Sequence, residues 1–190
     1  MNNDMKKFLY QTFDAKSADD IIKRYSAMLD EMCREQESRL SPTQLKVARK
    51  IILTRIAFYL SMKKRIDSDE ALSHTAELFY KKTKGVSKLT KFLSKYEWGC
   101  ALFRKAFSIV LRADIWISEI KRNDKDAFIF DITKCLYKDL CDFYKCPELC
   151  AIFCNGDWLV FGELKKLKFE RERTLGYGDD LCGFNFTRRF

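Results

Sequence analysis

The chain of 190 residues has little glycine, proline or histidine, and it has no long apolar run. Seven glycines and two prolines exclude a collagen-like or low-complexity chain, and a hydrophobic content of 47% excludes a disordered one. The longest stretch without a charged residue covers only residues 149–156, far less than the roughly 18 apolar residues of a membrane-spanning helix. We therefore expect one domain over residues 1–190 and no membrane partner.

A secretory signal is also missing, because residues 1–13 lack an apolar segment and a small-residue cleavage site. Eight cysteines without such a signal indicate a reducing compartment, so we expect a cytoplasmic protein whose thiols seldom form disulfides. Six of them fall after residue 130, and none of their spacings leaves the two-residue gap of common zinc or iron–sulfur knuckles. A structural metal is therefore not expected.

The net charge of +9 comes from short basic clusters with acidic residues nearby. This pattern favours solvated helix faces over a nucleic-acid surface. A nucleic-acid binder remains the least favoured alternative, and its affinity would fall steeply with added salt.

Apolar residues recur every three or four positions in the first two thirds of the chain, which predicts amphipathic helices. Four residues on one helix face are expected in the core, namely Phe103, Phe107, Val110 and Ile117. His74 is expected to be an ordinary surface or satisfied histidine. Residues 1–122 should form the mostly helical part. The expected helices cover 21–32 with Ser17 or Asp19 as N-cap, 41–65 from Ser41-Pro42, 67–84 ending at Gly85, and 98–121.

The pattern changes in residues 123–190, the expected α/β part. A strand over 127–132 should precede a helix capped by Thr133, and another helix should start at Cys146-Pro147. Two antiparallel strands, 167–174 and 182–188, flank a loop over 175–181. The predicted class is α+β, with an N-terminal helical layer on a small, mainly antiparallel sheet that ends in a C-terminal hairpin.

The hairpin is the most informative segment. If Phe169 and Phe184 face the core, strand alternation turns Arg171, Arg173 and Cys182 inward as well. Buried guanidinium groups need anionic partners. A guanidinium beside Cys182 would favour its thiolate, so an anion clamp and a nucleophile would lie together.

A structural interpretation of the same pattern is an internal ion pair beside an inert thiol. In that case one of the two arginines binds a carboxylate within the protein. The candidate carboxylates are those of Glu148, Asp157 and Glu163.

A family resemblance rests on residues in the last third of the chain. The matching residues are Phe130-Asp131-Ile132, Thr133, Cys135, Asp139, Cys141, Cys146-Pro147-Glu148-Leu149, Phe153-Cys154, Asp157, Phe169, Arg171, Thr174-Leu175, Gly178, Cys182 and Phe184-Asn185-Phe186. Over this stretch the chain resembles the L-2-amino-thiazoline-4-carboxylic acid hydrolase family. That family usually has aspartate after the hairpin cysteine, where this chain has Gly183.

The resemblance implies hydrolysis of a non-peptide C–N bond in a cyclic amidine that carries a carboxylate, leading toward cysteine. Asp157 would be the acid or base, and Cys182 the nucleophile or a polar wall of the site. This scheme needs no cofactor or metal, and an assembly of identical chains is left open. The implied substrate-binding residues are Arg173, Arg171, Thr174, Cys135 and Cys154.

A non-enzymatic domain that binds or senses a small molecule is the alternative function, because a fold does not determine what its site does.

Overall fold

The chain divides into two units within a long helix. The computed structural model describes residues 1–189; its first unit is Met1–Phe79 and its second starts at Tyr80. No helix among these described residues is long and apolar enough to cross a membrane. The expectation of one domain over residues 1–190 stays a prediction.

Helices of the first unit begin at side chains that accept backbone hydrogens. Asp14 accepts the Ser17 N–H at 3.1 Å, so the second helix begins before both expected N-caps, Ser17 and Asp19. Ser41 caps the next helix as predicted, in a capping box with Gln44. The bounds are α1 Asn3–Thr12, α2 Ala15–Glu37, α3 Pro42–Val47 and α4 Leu53–Met62, with a π-helical turn Ala48–Ile52 between α3 and α4.

Helix α5, Ser68–Leu93, continues through Gly85, where the sequence predicted its end. Glycine inside a helix costs about 1 kcal/mol relative to alanine, which tertiary contacts can outweigh. Beyond Gly85, the Thr90 hydroxyl donates to the Val160 carbonyl at 3.0 Å. The predicted end was wrong because contacts of this kind hold the rest of α5 in the helical conformation.

Helix α6, Glu97–Val110, is shorter than the helix predicted over residues 98–121. After α6 the chain turns and enters strand β1, Trp116–Asn123. Ile117 and Ile120 are three residues apart, which imitates a helical period in the sequence. The prediction was wrong beyond Val110, because backbone pairing with the next strand holds this segment extended.

Four antiparallel strands form one sheet in the order β1-β2-β4-β3. Strand β2, Ala127–Cys135, confirms the predicted strand and extends it. Strands β3, Leu167–Glu170, and β4, Cys182–Arg188, form the predicted C-terminal hairpin, although β3 ends four residues early. The α+β class is therefore confirmed.

Phenylalanines fill the space between this sheet and the helices of the second unit. Phe103 of α6 lies with its ring centroid 5.1 Å from that of Phe186, and Phe107 lies 5.5 Å from Phe130. Both therefore contact the core as predicted. The same prediction was wrong for Val110 and Ile117, which are 44% and 60% exposed, because α6 ends at Val110 and Ile117 lies in β1. Edge-to-face and offset ring pairs at such distances add to the stabilisation from apolar burial.

Two helices connect β2 to β3. Helix α7, Leu136–Phe143, starts after Cys135, later than the expected cap at Thr133, and α8, Pro147–Phe161, starts with proline in its first turn as predicted. The ring of Phe161, at the end of α8, lies 5.5 Å from that of Phe169. Helix α8 is thereby fixed against the hairpin, and the two carry the candidate site.

Candidate active site

Arg171 is the most deeply buried charged side chain of the site. It follows directly after β3, and its side chain is only 1% exposed. Its Nη1 lies 2.5 Å from the Asp157 carboxylate, its Nη2 donates to the Cys154 carbonyl at 2.9 Å, and the guanidinium lies over the Phe184 ring. Within residues 1–189, its Nε has no hydrogen-bond partner. One buried N–H donor of the permanently charged guanidinium is therefore unsatisfied. Without a bound ligand this lowers the stability of the folded protein.

Asp157 is the anionic partner of Arg171, on the last turns of α8. Surrounding protein atoms desolvate its carboxyl and raise its pKa to about 6, although the Arg171 charge acts in the opposite direction. Its side chain is 35% exposed. Near neutral pH this group is mostly ionised and has the pKa of an effective general base.

Cys182 is the first residue of β4 and is buried opposite Ile132. Its Sγ accepts a hydrogen bond from the Leu175 N–H at 3.3 Å. Burial raises the pKa of the Cys182 thiol, although the Leu175 N–H and the Arg171 charge favour the thiolate. The side chain is therefore a thiol near neutral pH, and its role as nucleophile or polar wall stays a prediction.

Arg173 does not face inward with Arg171. Its side chain is 52% exposed and bonds to the exposed Asp180 at 3.0 Å. The expected orientation was wrong because β3 ends at Glu170, so strand alternation does not extend to Arg173. Its proposed role in binding substrate stays a prediction.

Thr174 is buried at the start of the loop that covers α8. Its N–H donates to the Asp179 carboxylate at 2.6 Å, and its carbonyl accepts the Tyr177 N–H at 2.8 Å. The loop is folded by its own polar groups into a short 3₁₀ turn, Leu175–Tyr177. This turn places the Leu175 N–H against Cys182.

The cysteines of α7 and α8 form a buried group of thiols. Cys150 accepts hydrogen bonds from Cys141 and Cys154; this lowers the pKa of Cys150 and raises the pKa values of the two donors. Cys141 also hydrogen-bonds with Cys146. Burial raises the pKa of Cys135 to about 12. All five are free thiols, and the sulfurs of Cys150 and Cys154 lie directly beneath Gly176 of the loop.

Among residues 1–189, no three His, Cys, Asp or Glu side chains are arranged to hold a metal ion. His74 belongs to the first unit, where its Nε2 lies 3.6 Å from the Glu70 carboxylate. The second unit therefore contains no histidine that could act as the base for a cysteine nucleophile.

Gly183 occupies the position where the family pattern has aspartate. It pairs in register with Asp131, and a Cβ at Gly183 would lie 3.7 Å from the Asp131 Oδ1. Successive strand residues point to opposite faces, so a side chain at this position would point away from Cys182. The substitution therefore changes the far face of the sheet and leaves the surroundings of Cys182 in place.

Two tyrosines near the site were missed by the sequence analysis. The Tyr177 hydroxyl donates to the side chain of Asn155, which also hydrogen-bonds with Tyr80. Burial raises the pKa of Tyr80, so it remains a neutral phenol. The glycines flanking Tyr177 marked a turn, but no sequence signal connected it with Asn155 or Tyr80.

The sequence profile of the L-2-amino-thiazoline-4-carboxylic acid hydrolase family matches residues 27–186. The match covers the helices as well as the hairpin, so it extends well beyond the residues on which the resemblance rested. No curated protein and no solved structure matches the chain.

Proposed function

The chain belongs to the L-2-amino-thiazoline-4-carboxylic acid hydrolase family, and on that premise we propose that it opens the ring of a cyclic amidine bearing a carboxylate. The family name supports a hydrolase-like function in general. The observation that carries the specific proposal is the pairing of Arg171 with Asp157, whose pKa is about 6. An anion-binding cation and a base of suitable strength thus lie within one hydrogen bond of each other.

Arg171 anchors the substrate carboxylate in this proposal. Its Nε lacks a partner within residues 1–189, and a guanidinium can share its remaining donors between two carboxylates. Binding of the substrate anion would satisfy this donor and offset the cost of its burial. In this proposal Thr174, Cys135 and Cys154 are the neutral walls of the site, and the contact of the Cys154 carbonyl with Arg171 supports this role for Cys154.

Asp157 acts as general base and then as general acid. It takes a proton from water while the water oxygen bonds to the carbon between the ring nitrogen and the sulfur. Asp157 passes this proton to the ring nitrogen of the tetrahedral adduct. The bond from the carbon to the ring nitrogen then breaks, the nitrogen keeps the electron pair and takes up the proton of the new hydroxyl, and the hydroxyl oxygen becomes a carbonyl. The carbon keeps its sulfur and its exocyclic nitrogen, so the product is the substrate plus one water, with no change in oxidation state.

Cys182 serves as a polar wall in this scheme, because its raised pKa keeps it a thiol. Attack by its thiolate would give the same product through a covalent intermediate. Cys182→Ser separates the two routes. The water route predicts that most activity remains, whereas the covalent route predicts a loss comparable to that of Asp157→Asn and a protein adduct detectable by mass spectrometry.

The test incubates the purified full chain with L-2-amino-thiazoline-4-carboxylate and follows the gain of one water by mass spectrometry. We expect turnover by the unmodified chain and a loss of about 10²–10⁴-fold in kcat for Asp157→Asn.

Arg171→Lys should mainly raise KM, since it keeps the charge and loses the planar donors. Asp142→Asn, at an exposed carboxylate paired with Lys138 on α7, is the matched control. Full activity of Asp157→Asn would refute the mechanism.

A small-molecule sensor is the second candidate, and the unsatisfied Nε of the buried Arg171 supports it because binding a carboxylate there needs no catalytic group. Arg171 would anchor a carboxylate in the same way. Calorimetric binding of the thiazoline carboxylate without turnover, lost in Arg171→Met, would support the sensor and exclude the hydrolase.

A further inference from the structure

Almost all the excess positive charge of the protein lies in one segment. Residues 80–113 contain nine lysines and arginines and a single acid, Glu97, so they hold eight of the nine net positive charges. The charge is therefore much less evenly spread than the short basic clusters suggest. Glu97 itself is paired, with Lys166 at 2.6 Å and Arg188 at 2.8 Å.

Within this segment, the second half of α5 turns its polar face toward the protein and its apolar face toward solvent. Thr90 bonds to the Val160 carbonyl, and the Ser94 hydroxyl accepts the Lys165 N–H at 2.9 Å. On the other face, Val86, Leu89 and Phe92 are all more than half exposed. An amphipathic helix that packs on its own protein has the opposite arrangement.

The exposed apolar face continues from α5 onto α6. The ring centroid of Phe92 lies 5.8 Å from that of Tyr96, which stacks on Trp98 at 5.7 Å. Leu102 follows one helical turn after Trp98 and is also exposed. We call this surface the α5–α6 patch, and its members are Val86, Leu89, Phe92, Tyr96, Trp98 and Leu102.

Exposed lysines border the α5–α6 patch. Lys84, Lys88 and Lys95 form no ion pair with any residue in 1–189, and Lys95 lies 5.7 Å from the centre of the Phe92 ring. Lys91 is different, because it pairs with Glu163. The unpaired lysines can therefore bind an external anion while the neighbouring apolar side chains are buried in the same partner.

We propose that the α5–α6 patch binds the surface of a membrane rich in anionic lipid. Lysines beside exposed tryptophan, phenylalanine and leucine are the composition of helices that lie in the membrane interface. The expectation of no membrane partner rested on the absence of long apolar runs, which bears on spanning helices and not on such a surface.

Two other occupants fit the patch less well. A second copy related by two-fold symmetry would bring the same lysines from both chains together, which is unfavourable. A nucleic acid would satisfy the lysines and could stack on the exposed rings, but it would leave the aliphatic side chains of Val86, Leu89 and Leu102 in water, whereas a membrane interface takes up both kinds of side chain.

The test sediments the full chain with vesicles of phosphatidylglycerol and phosphatidylcholine in equal parts, and with vesicles of phosphatidylcholine alone. We expect binding only to the anionic vesicles, with the bound fraction falling as salt is added. The triple variant Lys84→Gln, Lys88→Gln, Lys95→Gln should bind on the order of 10²-fold more weakly. The matched control replaces three exposed lysines of the first unit, Lys16, Lys23 and Lys46, by glutamine and should bind normally.

Insertion is checked separately through Trp98. Its fluorescence emission should shift to shorter wavelength on anionic vesicles, and Trp98→Phe should abolish that shift. Equal binding to both kinds of vesicle, or equal losses in the two triple variants, would overturn the proposal. So would a dimer in solution that Phe92→Ala separates, or vesicle binding that is displaced by an oligonucleotide through the same lysines.

Discussion

Arg171 and Asp157 form an ion pair whose two partners differ in their access to solvent. The Arg171 side chain is 1% exposed and the Asp157 side chain 35%. The arginine keeps its charge at any ordinary pH, whereas the carboxyl can exchange a proton with water. The pair therefore combines a fixed cation inside the protein with a partly exposed group that can titrate, as the proposed reaction requires.

The activity should depend on pH through Asp157. Because its pKa is about 6 and its ionised form is the proposed base, kcat/KM should rise with pH through about 6 and level off above it. A profile of kcat/KM between pH 4.5 and about 8 measures this. A profile that rises only in the alkaline range would instead point to a thiolate.

Stability should depend on pH in the opposite direction. The pKa of Asp157 in the folded protein, about 6, lies above the ordinary aspartate value of 3.8, so the folded state binds more protons between these two values. The stabilisation from this group is complete below the lower pKa and is lost as the pH rises through about 6. The difference in free energy of unfolding between the unmodified chain and Asp157→Asn should therefore decrease over that range and stay constant above it. An increasing difference would contradict the raised pKa.

Arg171→Met should lower the free energy of unfolding by about 3 kcal/mol. This value is at the lower end of the range for breaking a buried ion pair, because Asp157 is partly exposed. The pKa of Asp157 should rise further, since the guanidinium charge now lowers it. Urea unfolding gives the first quantity, and NMR titration of the carboxyl gives the second. A change in stability below about 0.5 kcal/mol, as at an ordinary surface position, would show that the pair is not structural.

The alternation of side chains along the sequence correctly predicted which hairpin residues face the core, as far as each residue lies within a paired strand. Phe169, Phe184 and Phe186 face the core, as alternation required, and Arg171 remains buried just beyond the strand end. Arg173 was misplaced because alternation holds only within a paired strand, and the sequence does not show where pairing stops.

The partner of Arg171 depends on the packing of α8 against the hairpin. The sequence offered three carboxylates as partners for an inward arginine. Which of them meets Arg171 depends on the face that α8 turns toward the hairpin, and the packing of Phe161 against Phe169 sets that face and brings Asp157 to Arg171. The continuation of α5 past Gly85 was hidden for a similar reason, since tertiary contacts outweigh local propensity there.

Gly85→Ala should stabilise the protein. Gly85 lies inside α5, and a Cβ there would meet no atom within 4 Å. Alanine is favoured over glycine in a helix by up to about 1 kcal/mol, partly because glycine leaves the unfolded chain more freedom. Thermal unfolding of the two proteins measures the change. A lower midpoint for the alanine variant would indicate that α5 bends or ends at this position in solution.

Gly176→Ala should destabilise the loop over the site. A Cβ at Gly176 would lie 2.6 Å from the Cys154 Sγ and 3.2 Å from the Cys150 Sγ, so the 3₁₀ turn or the thiols must move. Overpacking of this kind costs about 1–3 kcal/mol, measured by urea unfolding. Cys154→Ala removes the closer sulfur, so Gly176→Ala should cost less in that background than alone. If the two changes are additive, the loop does not rest on this thiol, and the placement of the Leu175 N–H against Cys182 must depend on other contacts.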